Sequence, residues 1–309
     1  MTPRRRSIAR ALLAIPVIAI AVTLRAQQFR STTEVVIVDV LVTKDHKPID
    51  GLKVDDFVVR DSGVRQSIAL VSVEAVPVDL HLVLDVSASL QGDGIEQLKA
   101  AARAAVAALR PEDRAELLTF SDDVQVRAPW TRDRAAMNRA IDAVTANGWT
   151  SLVDATFTAI SLSEDPNRRT LVLVFTDGQD TSSWLSGADV FKTAARSRVT
   201  VCGVIAAPAP LNRPDLQAPA RLRDLLLSDP LSYRAAFLPV MTAETGGELL
   251  YVSLTTDLRK AFLDVVSRFN RRYLLSYAPT GVAEHGWHPI EVAVKDKNME
   301  VTARRGYQR

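Results

Sequence analysis

From Val78 onward, short unbroken apolar runs alternate with stretches whose apolar residues recur at helical spacing, and that alternation leaves few folds open. The runs at 78–84, 115–120, 170–176, 199–205 and 248–252 are rich in Val, Leu and Ile and too short for helices. They read as strands covered on both faces. After the first run, Ile95, Leu98, Ala102, Ala105, Val106 and Leu109 form one stripe, and Pro111 ends the helix. Helices are also expected over 134–144, 151–162, 188–196 and 257–270, and another stops at Gly246-Gly247. Residues 124–126 add an edge hairpin. The pattern predicts an α/β, doubly wound domain: a central, mostly parallel sheet with helices on both faces.

The ends of the chain follow a different rule. Residues 33–74 have a β pattern, in which 35–42 is apolar on nearly both faces. A turn covers 44–48, a short strand 57–60, and Asp61-Ser62-Gly63 marks a hairpin before a strand over 64–73. Residues 273–277, 290–294 and 299–304 are strand-like again. Each β portion is too small to hold a core alone, and domain ends usually lie close together. Residues 33–76 and 271–307 are therefore expected to pair into one β-sandwich, with the α/β portion, 77–270, inserted between them.

Chemistry concentrates where the strands end. Asp85-Val86-Ser87-Ala88-Ser89 follows the strand 78–84; Thr150 lies in Asn147-Gly148-Trp149-Thr150-Ser151; Asp177 closes Leu171-Val-Leu-Val-Phe-Thr-Asp177 ahead of Gly178. In an open parallel sheet, loops at the carboxyl ends of strands form the ligand crevice. Asp85, Ser87, Ser89, Thr150 and Asp177 are the candidate metal ligands, all of them oxygen donors. That set suits a hard cation such as magnesium, with manganese or calcium as alternatives. Taken singly, Ser and Asp after a strand cap helices and Asp-Gly makes turns; it is their order and strand context together that point to a metal.

These residues resemble a von Willebrand factor A-type domain with a metal-ion-dependent adhesion site, over about 77–270. The flanks resemble those of exported bacterial proteins, common in acidobacteria, that carry a VWFA-related domain. The carrying segments are Thr33-Glu-Val-Val-Ile-Val-Asp-Val-Leu-Val42 with Asp55-Asp-Phe-Val58, and Arg272-Tyr-Leu-Leu-Ser-Tyr277 with Val301-Thr-Ala-Arg-Arg-Gly-Tyr307. The resemblance implies a Rossmann-like fold and a divalent cation that coordinates an acidic side chain of a partner protein. Trp149 stands where relatives commonly have a second glycine.

Charge bears on the partner. Residues 1–26 carry Arg4, Arg5, Arg6, Arg10 and Arg25 and no acid, so the remaining chain has a formal charge of −3 against +2 for the whole. A mildly acidic chain argues against nucleic acid, whose binding rests on clustered Lys and Arg. The arginines, the apolar run 11–24 and the small Ala26 read as an export signal. Fourteen apolar residues fall short of the ~20 that span a bilayer, although Leu24 at the third position before the cleavage point leaves an uncleaved anchor open. The expected location is therefore periplasmic or extracellular, with no membrane span in the mature form. Cys202, the single cysteine, is expected to be a buried, inert thiol.

Other residues draw blander readings. His285-Gly-Trp-His288 is expected in a solvated loop, His81 as a packed or hydrogen-bonded histidine, and Trp184 as a loop residue packed on its neighbours, with a partner-facing ring as the alternative. The proline-rich stretch 207–230 is either a rim around the site or a surface insertion. No nucleophile–base pair or glycine-rich phosphate cradle is evident, so the leading function is a non-enzymatic, metal-dependent binding module. A hydrolase using the same cation to activate water, and an assembly component whose site has lost its role, are the alternatives.

Overall fold

A computed structural model describes residues 35–71, 76–163, 165–206, 236–252 and 258–309. Five short strands come first: β1 (Val36–Lys44), β2 (Lys47–Pro48), β3 (Phe57–Asp61), β4 (Val64–Arg65) and β5 (Ala69–Val71). The alternating portion follows as β6 (Val78–Asp85), α1 (Asp93–Ala107), β7 (Arg114–Phe120), β8 (Val124–Thr131), α2 (Arg134–Asp142), α3 (Leu152–Ser161), β9 (Arg169–Thr176), α4 (Gly187–Arg196), β10 (Thr200–Ala206), α5 (Phe237–Thr245), β11 (Leu249–Val252) and α6 (Leu258–Asn270). Strands β12 (Tyr273–Tyr277), β13 (Trp287–Val294), β14 (Glu300–Ala303) and β15 (Gly306–Gln308) close the chain.

The central sheet has the order β11-β10-β9-β6-β7-β8, parallel throughout except for the edge pair β7–β8. Its strands are apolar on both sides because both sides are covered. Leu80, Leu82, Leu84, Leu171, Leu173 and Phe175 face α1, α2 and α6. Val83, Leu118, Phe120, Val172 and Val174 face α3, α4 and α5. The stripe from Ile95 to Leu109 is buried as its spacing predicts. This is the α/β doubly wound architecture the alternation calls for.

The flanks pair with each other. β1 runs antiparallel to β12, with Val38 opposite Leu275, and to β14, with Val42 opposite Val301. β13 joins β3 and β15 in a second sheet. Val38, Val40, Val42, Phe57, Val59, Leu275, Tyr277, Ile290 and Tyr307 share one core between the two sheets. β1 is apolar on nearly both faces because its other face meets the inserted portion: Leu41 is buried, and Asp39 accepts from Arg169 Nε at 2.8 Å. Arg304, buried and pushed down to about 10 by burial, donates to Ser197 O (2.7 Å) and Ala194 O (3.4 Å) at the end of α4. It supplies a cation where a helix leaves its last carbonyls unpaired.

Two expectations need correction. The single strand expected over 64–73 is broken, because the Gln66 amide turns inward. Its Nε2 donates to Thr280 O at 3.0 Å, and its Oε1 accepts from Thr280 N at 3.0 Å. The break sends β4 into one sheet and β5 into the other, a corner of the kind that joins packed sheets. His288, expected in a solvated loop, is buried within β13, with Nδ1 2.9 Å from Asp61 Oδ1. Asp61 also accepts from Tyr307 OH (2.8 Å), Tyr277 OH (3.0 Å) and Ser62 Oγ (3.0 Å). Burial raises the Asp61 pKa, but the contacts with His288, Tyr307, Tyr277 and Ser62 outweigh it and hold the carboxyl below its ordinary value.

A carboxyl with a depressed folded-state pKa contributes stability above its unfolded value, about 3.9, and loses it as pH falls through the lower folded value. Asp61→Asn is expected to cost ~1–3 kcal/mol in urea unfolding at pH 7, and the cost should shrink progressively as pH falls below about 4; a cost that stays constant down to about pH 2 would show that the charge is not the source. Gly246 caps α5 at φ +75°, and a Cβ there would sit 2.3 Å from Arg304 N. Gly246→Ala is expected to cost at least ~1–3 kcal/mol for the left-handed backbone alone, read as a lowered urea midpoint.

Candidate metal centre

β6 ends on Asp85 and β9 on Thr176, and the two strands are neighbours, so their carboxyl ends meet. Thr176 Oγ1 donates to Asp85 Oδ2 at 2.6 Å, and Ser87 N donates to Asp85 Oδ1 at 2.9 Å. Ser87 Oγ lies 3.0 Å from Ser89 Oγ, which donates to Asp177 Oδ1 at 3.1 Å. Asp85, Ser87, Ser89 and Asp177 therefore form one connected group of oxygens. Thr150 is held next to it by backbone contacts on both sides. Gly148 O accepts from Ala88 N at 3.0 Å, and Thr150 O accepts from Thr181 N (2.8 Å) and Ser182 N (3.1 Å).

Asp85, Ser87 and Thr150 are buried, Asp177 is half-buried and Ser89 is exposed, so the group opens to solvent on one side. Burial pushes Asp85 up to about 6; hydrogen bonds from Thr176 and Ser87 oppose this, and the charge of Asp177 adds to it. Burial also raises Asp177, against the hydrogen bond from Ser89. Two carboxylates and neutral hydroxyls, without sulfur or imidazole, fit a small hard cation. Among the described residues no three His, Cys, Asp or Glu side chains gather as a metal cluster, so an ion here would depend on the hydroxyls.

Three acids set the surrounding loops, and the sequence hid two of those roles. Asp122 Oδ1 accepts from Trp149 N at 3.0 Å, and a Cβ on Gly148 (φ +82°) would lie 2.3 Å from Asp122 Oδ2. An acid just past a strand, beside a hairpin, is indistinguishable from a turn residue. Asp154, in the first turn of α3, accepts from Trp184 N and Leu185 N, both at 2.9 Å. Asp180 accepts from Val153 N at 3.2 Å and from Ser183 Oγ. Trp184 does not pack on its neighbours: it is 94% exposed.

His81 is buried, 2.8 Å from Ser163 Oγ and 3.0 Å from Glu116 Oε2, with burial lowering its pKa; it is the packed, hydrogen-bonded histidine expected. Cys202 is buried and its thiol pushed up to about 11 by that burial. The stretch 207–230 lies outside the described residues.

Residues 80–179 match the sequence model of the von Willebrand factor type A domain. A curated relative, the E3 ubiquitin-protein ligase WAVH1 of Arabidopsis thaliana, is 33% identical over 106 residues, which is 33% of this chain and 16% of that protein. The chain thus aligns with about one sixth of that relative's length. Among solved structures, proximal thread matrix protein 1 from the mussel byssus, with a zinc-occupied MIDAS motif, superposes with TM-score 0.50 at 17% identity, covering 67% of this chain and 49% of that one. An aerotolerance-related membrane protein from Bacteroides fragilis gives TM-score 0.47 at 16% identity, over 63% and 99% of the two chains. The vWF domain of the pili tip protein Mfa5 from Porphyromonas gingivalis gives 0.33 at 21%, over 35% and 40%.

Thr176→Val removes a donor from the buried Asp85 while keeping the side-chain shape. It is expected to cost ~1–3 kcal/mol in urea unfolding at neutral pH; an unchanged midpoint would show that Asp85 does not rely on this hydroxyl.

Proposed function

Because the chain carries a von Willebrand factor type A domain, we propose that it is an exported, metal-ion-dependent protein-binding module, not an enzyme. One observation carries the reading: Ser87 and Ser89 bridge toward Asp177 while Asp85 closes the same group at the carboxyl edge of the sheet. Asp85, Ser87, Ser89, Thr150 and Asp177 would hold the cation, magnesium in the first instance and manganese or calcium otherwise. Asp85 and Asp177 supply the charge. The three hydroxyls supply neutral donors, so the ion stays electrophilic and keeps solvent-exchangeable positions. When bound, the cation offers one of those positions to an acidic side chain of the partner, a charge-assisted and directional contact.

The same reading divides the chain into an export signal at 1–26, a β segment at 27–76, the binding domain at 77–270 and a second β segment at 271–309. The mature form would act in the periplasm or outside the cell. Among the described residues no helix is long and apolar enough to cross a membrane. Nucleic acid is not a proposed partner, since the chain beyond residue 26 is net acidic.

Calorimetry with MnCl2 and MgCl2 tests the site directly. Saturable heat is expected from the wild type and none from Asp85→Ala, with far-ultraviolet circular dichroism unchanged between them. Equal heats from both proteins would remove Asp85 from the site and the reading with it.

A further inference from the structure

Two tryptophans stand in solvent on the loops that border the proposed cation. Trp149, directly before Thr150, is 69% exposed, and Trp184, seven residues past Asp177, is 94% exposed. Neither sits on a loosely held backbone. Trp149 N is fixed by Asp122 Oδ1, while Asp154 receives Trp184 N on one oxygen and Leu185 N on the other. The two loops are joined where Thr150 O receives Thr181 N and Ser182 N, and where Thr181 Oγ1 receives Thr150 N at 3.0 Å. With the backbone already pinned, binding has only the two side-chain torsions of each indole left to fix. Tryptophan has few rotatable bonds and is enriched among residues that dominate binding energy.

Electrostatics narrows the occupant further. The loops carrying the indoles are themselves acidic: Asp122, Asp123 and Asp154 lie on or beside them, with no arginine or lysine in 147–154 or 177–185. A run of acids on the partner would be repelled by these carboxylates, whereas one acid aimed at the cation would not. Resting on the metal reading above, we infer that the partner is a protein segment presenting a single Asp or Glu between aromatic or aliphatic side chains. The acid reaches the cation and its apolar neighbours cover Trp149 and Trp184. The rim thus selects the sequence around the acid, while the cation selects the acid itself.

A panel of labelled nine-residue peptides tests this by fluorescence anisotropy in magnesium, on the full chain. One peptide has a central Asp flanked by Leu and Phe, a second a central Asp flanked by Ser and Gly, a third an acidic run, and a fourth a central Asn flanked by Leu and Phe. The apolar-flanked Asp peptide is expected to bind at least about tenfold tighter than the other three, and chelator should abolish that binding. Trp149→Ala and Trp184→Ala should each weaken it by about fivefold or more, the usual size of a dominant contact, while leaving manganese calorimetry unchanged. Magnesium-dependent binding without preference for the flanks, or tryptophan variants that bind as the wild type does, would overturn this inference and leave the metal reading standing. So would manganese uptake by a protein that binds none of the peptides. Equal, chelator-insensitive binding of Asp and Asn peptides, with no manganese heat, would overturn both.

Discussion

Two carboxylates held at the ends of adjacent buried strands set the terms for everything around them. Asp85 has no solvent access, and burial together with the charge of Asp177 lifts it to about 6. A buried acid of this kind is tolerated only when other groups satisfy its oxygens. Thr176 and the Ser87 amide do so for Asp85, and Ser89 for Asp177. The hydroxyl-rich loop is thus required by the acids before any ligand is considered. The acids in turn can stand there only because parallel strands deliver both to one edge. Together they form an oxygen group with one solvent-facing side, whose charge a divalent ion would balance.

The sandwich solves a separate problem. Inserting the α/β portion between β5 and β12 places the partners of the outer sheets far apart in sequence: Asp61 and the Tyr307 that bonds it are separated by 246 residues. Loop closure grows only slowly with length, by about 0.6 kcal/mol per doubling, so the insertion costs little once its own core has folded. The join is made by charge and backbone approach. Arg169 meets Asp39, Arg304 holds the carbonyls that end α4, and Gly246 brings the α5–β11 turn against the backbone of β14.

What the sequence disclosed follows from the range of each interaction. The doubly wound sheet was legible because covered strands and striped helices leave local signatures, as did the stop at Gly246-Gly247. The pairing of the flanks was legible for a different reason: neither could fold alone. Hidden were the contacts made by single polar groups across long separations. Nothing near His288 announces Asp61, and nothing near Gln66 announces Thr280, so a buried histidine resembled a loop residue and a sheet-switching corner resembled continuous strand. At the candidate site the five oxygen donors were visible as motifs, whereas Asp122 and Asp154 were not, because an acid that receives backbone amides from another loop has no sequence pattern of its own.

The placement of the two parts has a mechanical consequence. Every contact between sandwich and insert named above involves the amino ends of the sheet strands: Arg169 begins β9, Ser197 precedes β10 and Gly246 precedes β11. The oxygen group lies at the carboxyl ends. A pull on an ion at that group would enter through Asp85 and Asp177, at the ends of β6 and β9, and be resisted at the far ends of the same strands. β6 is paired along its length with β7 on one side and β9 on the other, so the load would act in shear on two ladders together rather than opening bonds one at a time. Central strands suit that role better than edge strands, because sliding one of them must break both ladders. Asp85 ends β6 and Asp177 directly follows β9, so the two neighbouring central strands that bring the charges together would also be the ones to take such a load.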